Sequence, residues 1–215
     1  MTVGDDAGST PGARRMGWTV SNSDILASGL DVVFCGLNPA LTAVADRHNF
    51  SHPSNRFWSV LHLAGFTDVR LRPQEERRLL EYGCGITAVV GRPTSRADEV
   101  AASEFRGARA AFTTKMARYA PTVLAFLGKR AVAAMMNDDN IAWGRHPLRF
   151  AGSAVWILPN PSGLNRGFSL EDLVRRYADL RSAIDRTDAD AGVNANAGID
   201  SGDGRKRAAG PSCHD

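Results

Sequence analysis

The chain has 215 residues, enough for one sizeable domain with tails, and its 43% apolar residues suffice for a real core. A formal charge of +3 is a mild basic bias, compatible with a nucleic-acid partner but not diagnostic of one. No apolar run approaches the roughly 18–20 residues of a membrane span, and no charged-then-apolar leader opens the chain, so a cytosolic protein without a membrane partner is expected.

Residues 1–22 are rich in Gly, Ser, Thr and Asp without periodicity, and so are residues 186–215, which include the basic cluster Arg205-Lys206-Arg207. Neither segment has the apolar content to order itself, so both are expected to be disordered tails around a domain at 23–185. Within the domain, Asp31–Gly36 predicts a buried strand. Asn55–Ala64 places Phe57, Trp58, Leu61 and Ala64 on one helical face. Pro73 opens a helix through Tyr82, with Glu75 and Glu76 near its positive end. Gly85–Val90 predicts a strand, and Ser103–Tyr119 a long helix ended by Pro121. Val123–Leu127 is a third strand, followed by a helix over Lys129–Met136. Phe150 and Ala151 suggest a hairpin with the strand Ala154–Leu158. Ser169 and Asp172 form a capping-box-like start to a last helix through Ile184. Short apolar strands alternating with helices imply an α/β fold: a central, mostly parallel sheet between two helical layers.

Two strands stop abruptly in Asn-Pro loops, Gly36-Leu37-Asn38-Pro39-Ala40 and Leu158-Pro159-Asn160-Pro161-Ser162-Gly163-Leu164-Asn165-Arg166. Asn-Pro is a common turn starter, so either loop alone is weak evidence of function. In an open α/β sheet, however, ligands bind beyond the carboxyl ends of the strands, and the two loops would converge there if their strands are neighbours. Ala40–Ser54 is too long for an ordinary strand-to-helix connection and reads as an irregular, functional loop. The three cysteines lie far apart with no Cys-x-x-Cys pair, so neither a disulfide framework nor a zinc or iron–sulfur site is indicated. His48 and His52 have i,i+4 spacing, but Pro53 follows at once and Asp46 is the one carboxylate nearby, so no metal or other cofactor is expected.

Taken together, Phe34-x-Cys-Gly-x-Asn38-Pro39, Phe50-x-His52-Pro53-x-Asn55-Arg56-Phe57-Trp58, Arg92-Pro93-Thr94, Leu127-Gly128-Lys129 and Pro159-Asn160-Pro161-Ser162-Gly163-Leu164-x-Arg166 resemble the mismatch-specific uracil-DNA glycosylases. This is the family of bacterial Mug and eukaryotic thymine-DNA glycosylase, and the similarity spans about Asp24 to Leu180. The resemblance implies the uracil-DNA glycosylase fold, base flipping, and a monofunctional enzyme that starts base excision repair. Uracil, or thymine or ethenocytosine, opposite guanine would be released from double-stranded DNA by a cytoplasmic bacterial monomer.

By the same resemblance, Asn38 would hold the attacking water; an amide orients water rather than deprotonating it. Phe50 would stack on the flipped base, Gly36 and Leu37 would line the pocket with main-chain donors near Leu37 and Asn38, and Asn160 would pin or line it. Leu164 would wedge into the base stack, Gly163 and Asn165 would offer main-chain groups to the unpaired guanine, and Arg166 would reach phosphate or the opposite strand. His52 would brace the loop, with Asn55, Arg56 and Trp58 structural. No lysine falls in the motifs around Asn38, Phe50 or Leu164, so an imine-forming step is not expected. Three departures bear on specificity: Ala40 where Gly is usual, Ala43–Asn49 in place of a Gly-rich stretch, and Asn165 where bacterial relatives often have Ser. Asp46 is a candidate helper for the water. The rival functions are a catalytically silent mismatch-binding module and a nucleoside hydrolase.

Overall fold

Four of the five strands carry apolar residues at nearly every position, and burial on both faces is the physical reason. In the computed structural model, which describes residues 24–197 and side chains through residue 186, these strands form one sheet in the order β2-β1-β3-β5-β4. The strands are β1 (Val32–Gly36), β2 (Cys84–Ala88), β3 (Val123–Leu127), β4 (Gly144–Phe150) and β5 (Ser153–Leu158). β2, β1, β3 and β5 run parallel, and β4 closes one edge antiparallel to β5. The fold is a mixed α/β sandwich, as expected from the alternation of elements.

Alternate residues of each strand serve opposite faces. Val32 and Phe34 join Val123, Ala125 and Leu127 in a core closed by α2 (Phe57–Leu63), α5 (Leu170–Ala197) and the 3₁₀ helix Pro73–Tyr82. Val33 and Cys35 join Leu124, Phe126, Val155 and Ile157 in a second core closed by α3 (Ala102–Tyr119) and α4 (Lys129–Met136). In the first core Phe34 lies edge-on to Phe57 and Phe66 and stacks on Tyr177, with ring centroids 5.5, 5.3 and 6.1 Å away. Burial desolvates the two inner cysteines: the Cys84 thiol is pushed up to about 12, and the Cys35 thiol higher.

Several expectations are corrected. The stretch Ala40–Ser54 is not wholly irregular, because Leu41–Asp46 forms a short helix, α1. Arg47 in a left-handed conformation ends it, and His48 N–H returns to Ala43 O. The segment Pro73–Tyr82 is wound as a 3₁₀ helix. The second strand ends at Ala88 rather than Val90, since Val89 and Val90 turn to bond Gly36 O and Leu37 O. The hairpin is longer than two residues suggested: β4 and β5 meet through Ala151-Gly152, both with positive φ, as a tight right-twisted hairpin requires. The strands bearing the two Asn-Pro loops are not neighbours, because β3 lies between them. The last helix continues past Ile184 to Ala197, through an Ala-rich stretch without proline. Residues 1–22 and most of the expected C-terminal tail lie outside the described residues.

Candidate active site

Because β1, β3 and β5 are parallel, their carboxyl ends open on one edge, and a cavity of about 330 Å³ lies there. Its size is at the lower end of small-ligand sites. Gly36, Leu37, Asn38, Phe50, Asn160 and Leu164 all line it, so the two loops share one cavity although their strands are not adjacent.

Asn38 is held by its nitrogen. Its Nδ2 donates to Thr94 Oγ1 at 2.7 Å, to Arg92 O at 2.9 Å and to Pro39 O at 3.2 Å. Carbonyl oxygens only accept, so this network dictates which way the amide faces. Among the described residues, Oδ1 is left without a protein donor and the Asn38 main-chain N–H without a protein acceptor. Thr94 is buried and passes its own proton to Arg96 O at 2.7 Å. Leu41 N–H to Thr94 O and Thr94 N–H to Pro39 O, both 3.1 Å, tie the two turns together. Arg92 is set by a two-pronged ion pair with Glu104 at 2.8 and 2.9 Å. That pair, with Ala101 N–H, draws the Glu104 carboxyl down to about 2.

Phe50 carries a left-handed backbone, φ 53°, which is costly for a bulky residue and persists only where the surroundings impose it. Two contacts impose it. On one side Asn49 donates its main-chain and side-chain N–H groups to the buried Glu76 carboxylate at 2.8 and 2.9 Å. On the other, Phe57 stacks on the Phe50 ring at 4.0 Å between centroids. Next to it, Ser51 Oγ is buried in the cavity wall with no hydrogen-bond partner.

The remaining candidates separate. His48 pairs with Glu76 at 3.4 Å, while His52 Nδ1 accepts from Ser54 Oγ at 2.8 Å, so the two rings serve different turns. Among the described residues no three potential ligands cluster. Asp46 is exposed at the end of α1 and is not part of the cavity wall; the carboxylate at the rim is Asp98, paired with Arg96 at 2.9 and 3.1 Å. Lys115, just behind the cavity, is engaged by Thr87 Oγ1 at 2.7 Å and Asp24 at 3.0 Å.

In the second loop Leu164 is 72% exposed, the most exposed large apolar side chain described. Asn160 accepts Ser162 N–H at 2.9 Å, and its carbonyl accepts Asn165 Nδ2 at 2.8 Å. Asn165 N–H returns to Ser162 O and its carbonyl accepts from Arg56, so its main chain is turned inward. Among the described residues none bonds to the Gly163 main chain. A Cβ there would collide with Ser54, including its main-chain oxygen at 2.7 Å, so glycine is required by the protein's own packing. Arg166 is exposed and pairs with none of the described residues.

Thr94, Glu76 and Ser51 had no role in the sequence-based expectation. Arg92-Pro93-Thr94 was among the matched motifs, which is the signal that would have led to Thr94. Glu76 looked like an ordinary acidic residue in a helical first turn.

The family model of the uracil DNA glycosylase superfamily matches residues 24–181. Among solved structures, a candidate uracil DNA glycosylase from Methanosarcina acetivorans, determined in solution, is 18% identical, with 73% of this chain and 92% of that one covered at a TM-score of 0.49. On the family match, which spans both loops, the chain is a member of the uracil DNA glycosylase superfamily.

Proposed function

We propose that this protein is a monofunctional, mismatch-directed DNA glycosylase that hydrolyses the glycosidic bond of uracil opposite guanine in duplex DNA. The carrying observation is the orientation of Asn38: its nitrogen is bound inward by Arg92 and Thr94, which leaves Oδ1 at the cavity without a protein donor. An acceptor oxygen held this rigidly can orient a water molecule, but it is too weak a base to strip the proton early. The base must therefore depart largely ahead of attack, leaving an oxocarbenium-like sugar, and turnover is slow compared with a carboxylate-assisted enzyme. The Asn38 main-chain N–H supports the negative charge that develops on the leaving pyrimidine. Phe50, braced from behind by Phe57, offers its other face to the flipped base; stacking of this kind is worth about 1–3 kcal/mol.

The preference for a mismatch rests on the second loop. Leu164 fills the space left in the stack, and Gly163 offers main-chain groups to the unpaired guanine. No lysine lines the cavity and Lys115 is engaged, which supports hydrolysis to an abasic site over an imine-forming step. The protein acts as a monomer in the bacterial cytoplasm, without a cofactor. Thymine and ethenocytosine opposite guanine are the further substrates to examine, because Ala40 and Ala43 shape the wall of the pocket.

The test is base release, read by alkaline strand cleavage, from one labelled strand carrying uracil opposite guanine, uracil opposite adenine, or uracil unpaired. Release that is fastest opposite guanine supports the proposal. Equal rates opposite guanine and adenine keep a glycosylase and remove the mismatch preference. No release from any of these, or from thymine or ethenocytosine opposite guanine, leaves a binding module.

A further inference from the structure

Arg56 precedes α2, and its guanidinium bonds to the main chain of the second loop. Nε donates to Pro161 O at 3.3 Å, Nη1 to Phe168 O at 2.7 Å, and Nη2 to Ser162 O at 3.1 Å and Asn165 O at 2.9 Å. Its main-chain N–H adds a bond to Pro161 O at 3.0 Å. One half-buried side chain thus ties down both limbs of the Leu164 turn, and no carboxylate shares it among the described residues. The next residue, Phe57, is the ring that stacks on Phe50. Two residues earlier, Ser54 fills the space under Gly163. The segment 54–57 therefore carries the stacking aromatic on one side and the Leu164 loop on the other.

We infer that Arg56 is a positioning residue that sets the Leu164 loop relative to the base pocket, and that it controls base flipping rather than bond cleavage. This rests on the glycosylase reading above. The planar fork of arginine is suited to it: several donors in fixed directions meet carbonyls from successive turns, which a lysine ammonium cannot reproduce. Leu164 is almost free of contacts of its own, so its place in space is whatever the main chain beneath it dictates. A loop that wanders loses the pre-organisation on which wedge insertion depends.

The experiment separates flipping from chemistry. A duplex with uracil opposite guanine carries 2-aminopurine beside the uracil, which brightens when the neighbour unstacks. Asn38→Ala holds the complex before base release, and Arg56→Gln or Arg56→Lys is added to it. The expected result is that both double variants bind the duplex about as tightly as Asn38→Ala, since phosphate contacts dominate affinity, while the brightening falls by roughly tenfold or more, as it does with Leu164→Ala. A double variant that brightens as fully as its parent overturns the inference. So does loss of duplex binding along with the signal, which would assign Arg56 to the fold or the phosphates, and so does a parent that never brightens. Wild-type protein that releases no uracil from the same duplex instead sinks the glycosylase reading, and this inference falls with it.

Discussion

The two loops at the carboxyl edge of the sheet are built in opposite ways. After β1, the functional side chain is itself pinned: Asn38 gives its amide hydrogens to Arg92, Thr94 and Pro39 and keeps one oxygen for the cavity. After β5, the functional side chain is free and the main chain is pinned: Leu164 is exposed while Arg56 grips four carbonyls around it. The difference fits the roles proposed for the two loops. Orienting one water molecule requires an atom fixed to a fraction of an ångström. Filling a gap between bases requires only an apolar body delivered to the right place, and an exposed tip on a pinned main chain suits that.

Breaking the first loop should have the largest effects. Asn38→Ala is expected to lower single-turnover base release by roughly a hundred- to a thousandfold, with duplex binding retained. A rate equal to wild type would move water positioning elsewhere, with Asp98 the next residue to replace. Thr94→Val keeps the shape and deletes the hydroxyl between Asn38 and Arg96 O. About a tenfold loss in rate is expected, with substrate binding little changed, because a tethered amide becomes a looser one. If kcat holds and KM rises instead, Thr94 serves the base and not Asn38.

Disturbing the second loop should cost less and only on paired DNA. Leu164→Ala is expected to slow release from the G·U duplex by about tenfold and to leave unpaired uracil nearly unaffected, with the thermal midpoint unchanged since the side chain is exposed. Equal losses on paired and unpaired uracil would argue against a wedge. Ser51→Ala probes the floor between the loops. Removal of a buried hydroxyl without a partner should raise stability by about 1 kcal/mol, readable in a denaturant melt. A drop in stability would mean that the hydroxyl is already satisfied.

The smallest expected effect is on pH. The Glu104 carboxyl is held at about 2 against an ordinary 4.5, chiefly by the Arg92 guanidinium. A depressed carboxyl contributes stability that is complete above 4.5 and is lost as pH falls through 2. The difference in thermal midpoint between wild type and Glu104→Gln should therefore shrink across that window. A difference constant with pH would show that the pair carries no linked protonation. Because Arg92 also presents the carbonyl that holds Asn38, the same acid limb should loosen the first loop before the second.

The positions of most strands along the chain, helix faces and the strand-stop motifs could be read directly from the sequence. Val32–Gly36 and Val123–Leu127 are apolar throughout, and Phe57, Trp58 and Leu61 repeat at helical spacing; local pattern suffices for such elements. That Asn38, Phe50 and Leu164 belong together was also legible, since they stand in motifs whose order is distinctive, and they line one cavity. The helix at Leu41–Asp46 escaped because it lacks a side-chain cap and is too short for periodicity to register. The position of β3 between the two loop-bearing strands is a matter of topology, which no local pattern contains.

The sequence by itself determined which residue types are available: an amide after one strand, an aromatic in a polar loop, an exposed leucine between glycine and asparagine. Only the tertiary structure decided how each is held. Thr94, Glu76 and Arg56 act on partners far away in the chain, through hydrogen bonds to Asn38, Asn49 and the carbonyls of Pro161–Phe168. Such bonds depend on direction and on distances of a few tenths of an ångström, and those exist only once the sheet has brought its carboxyl edge together.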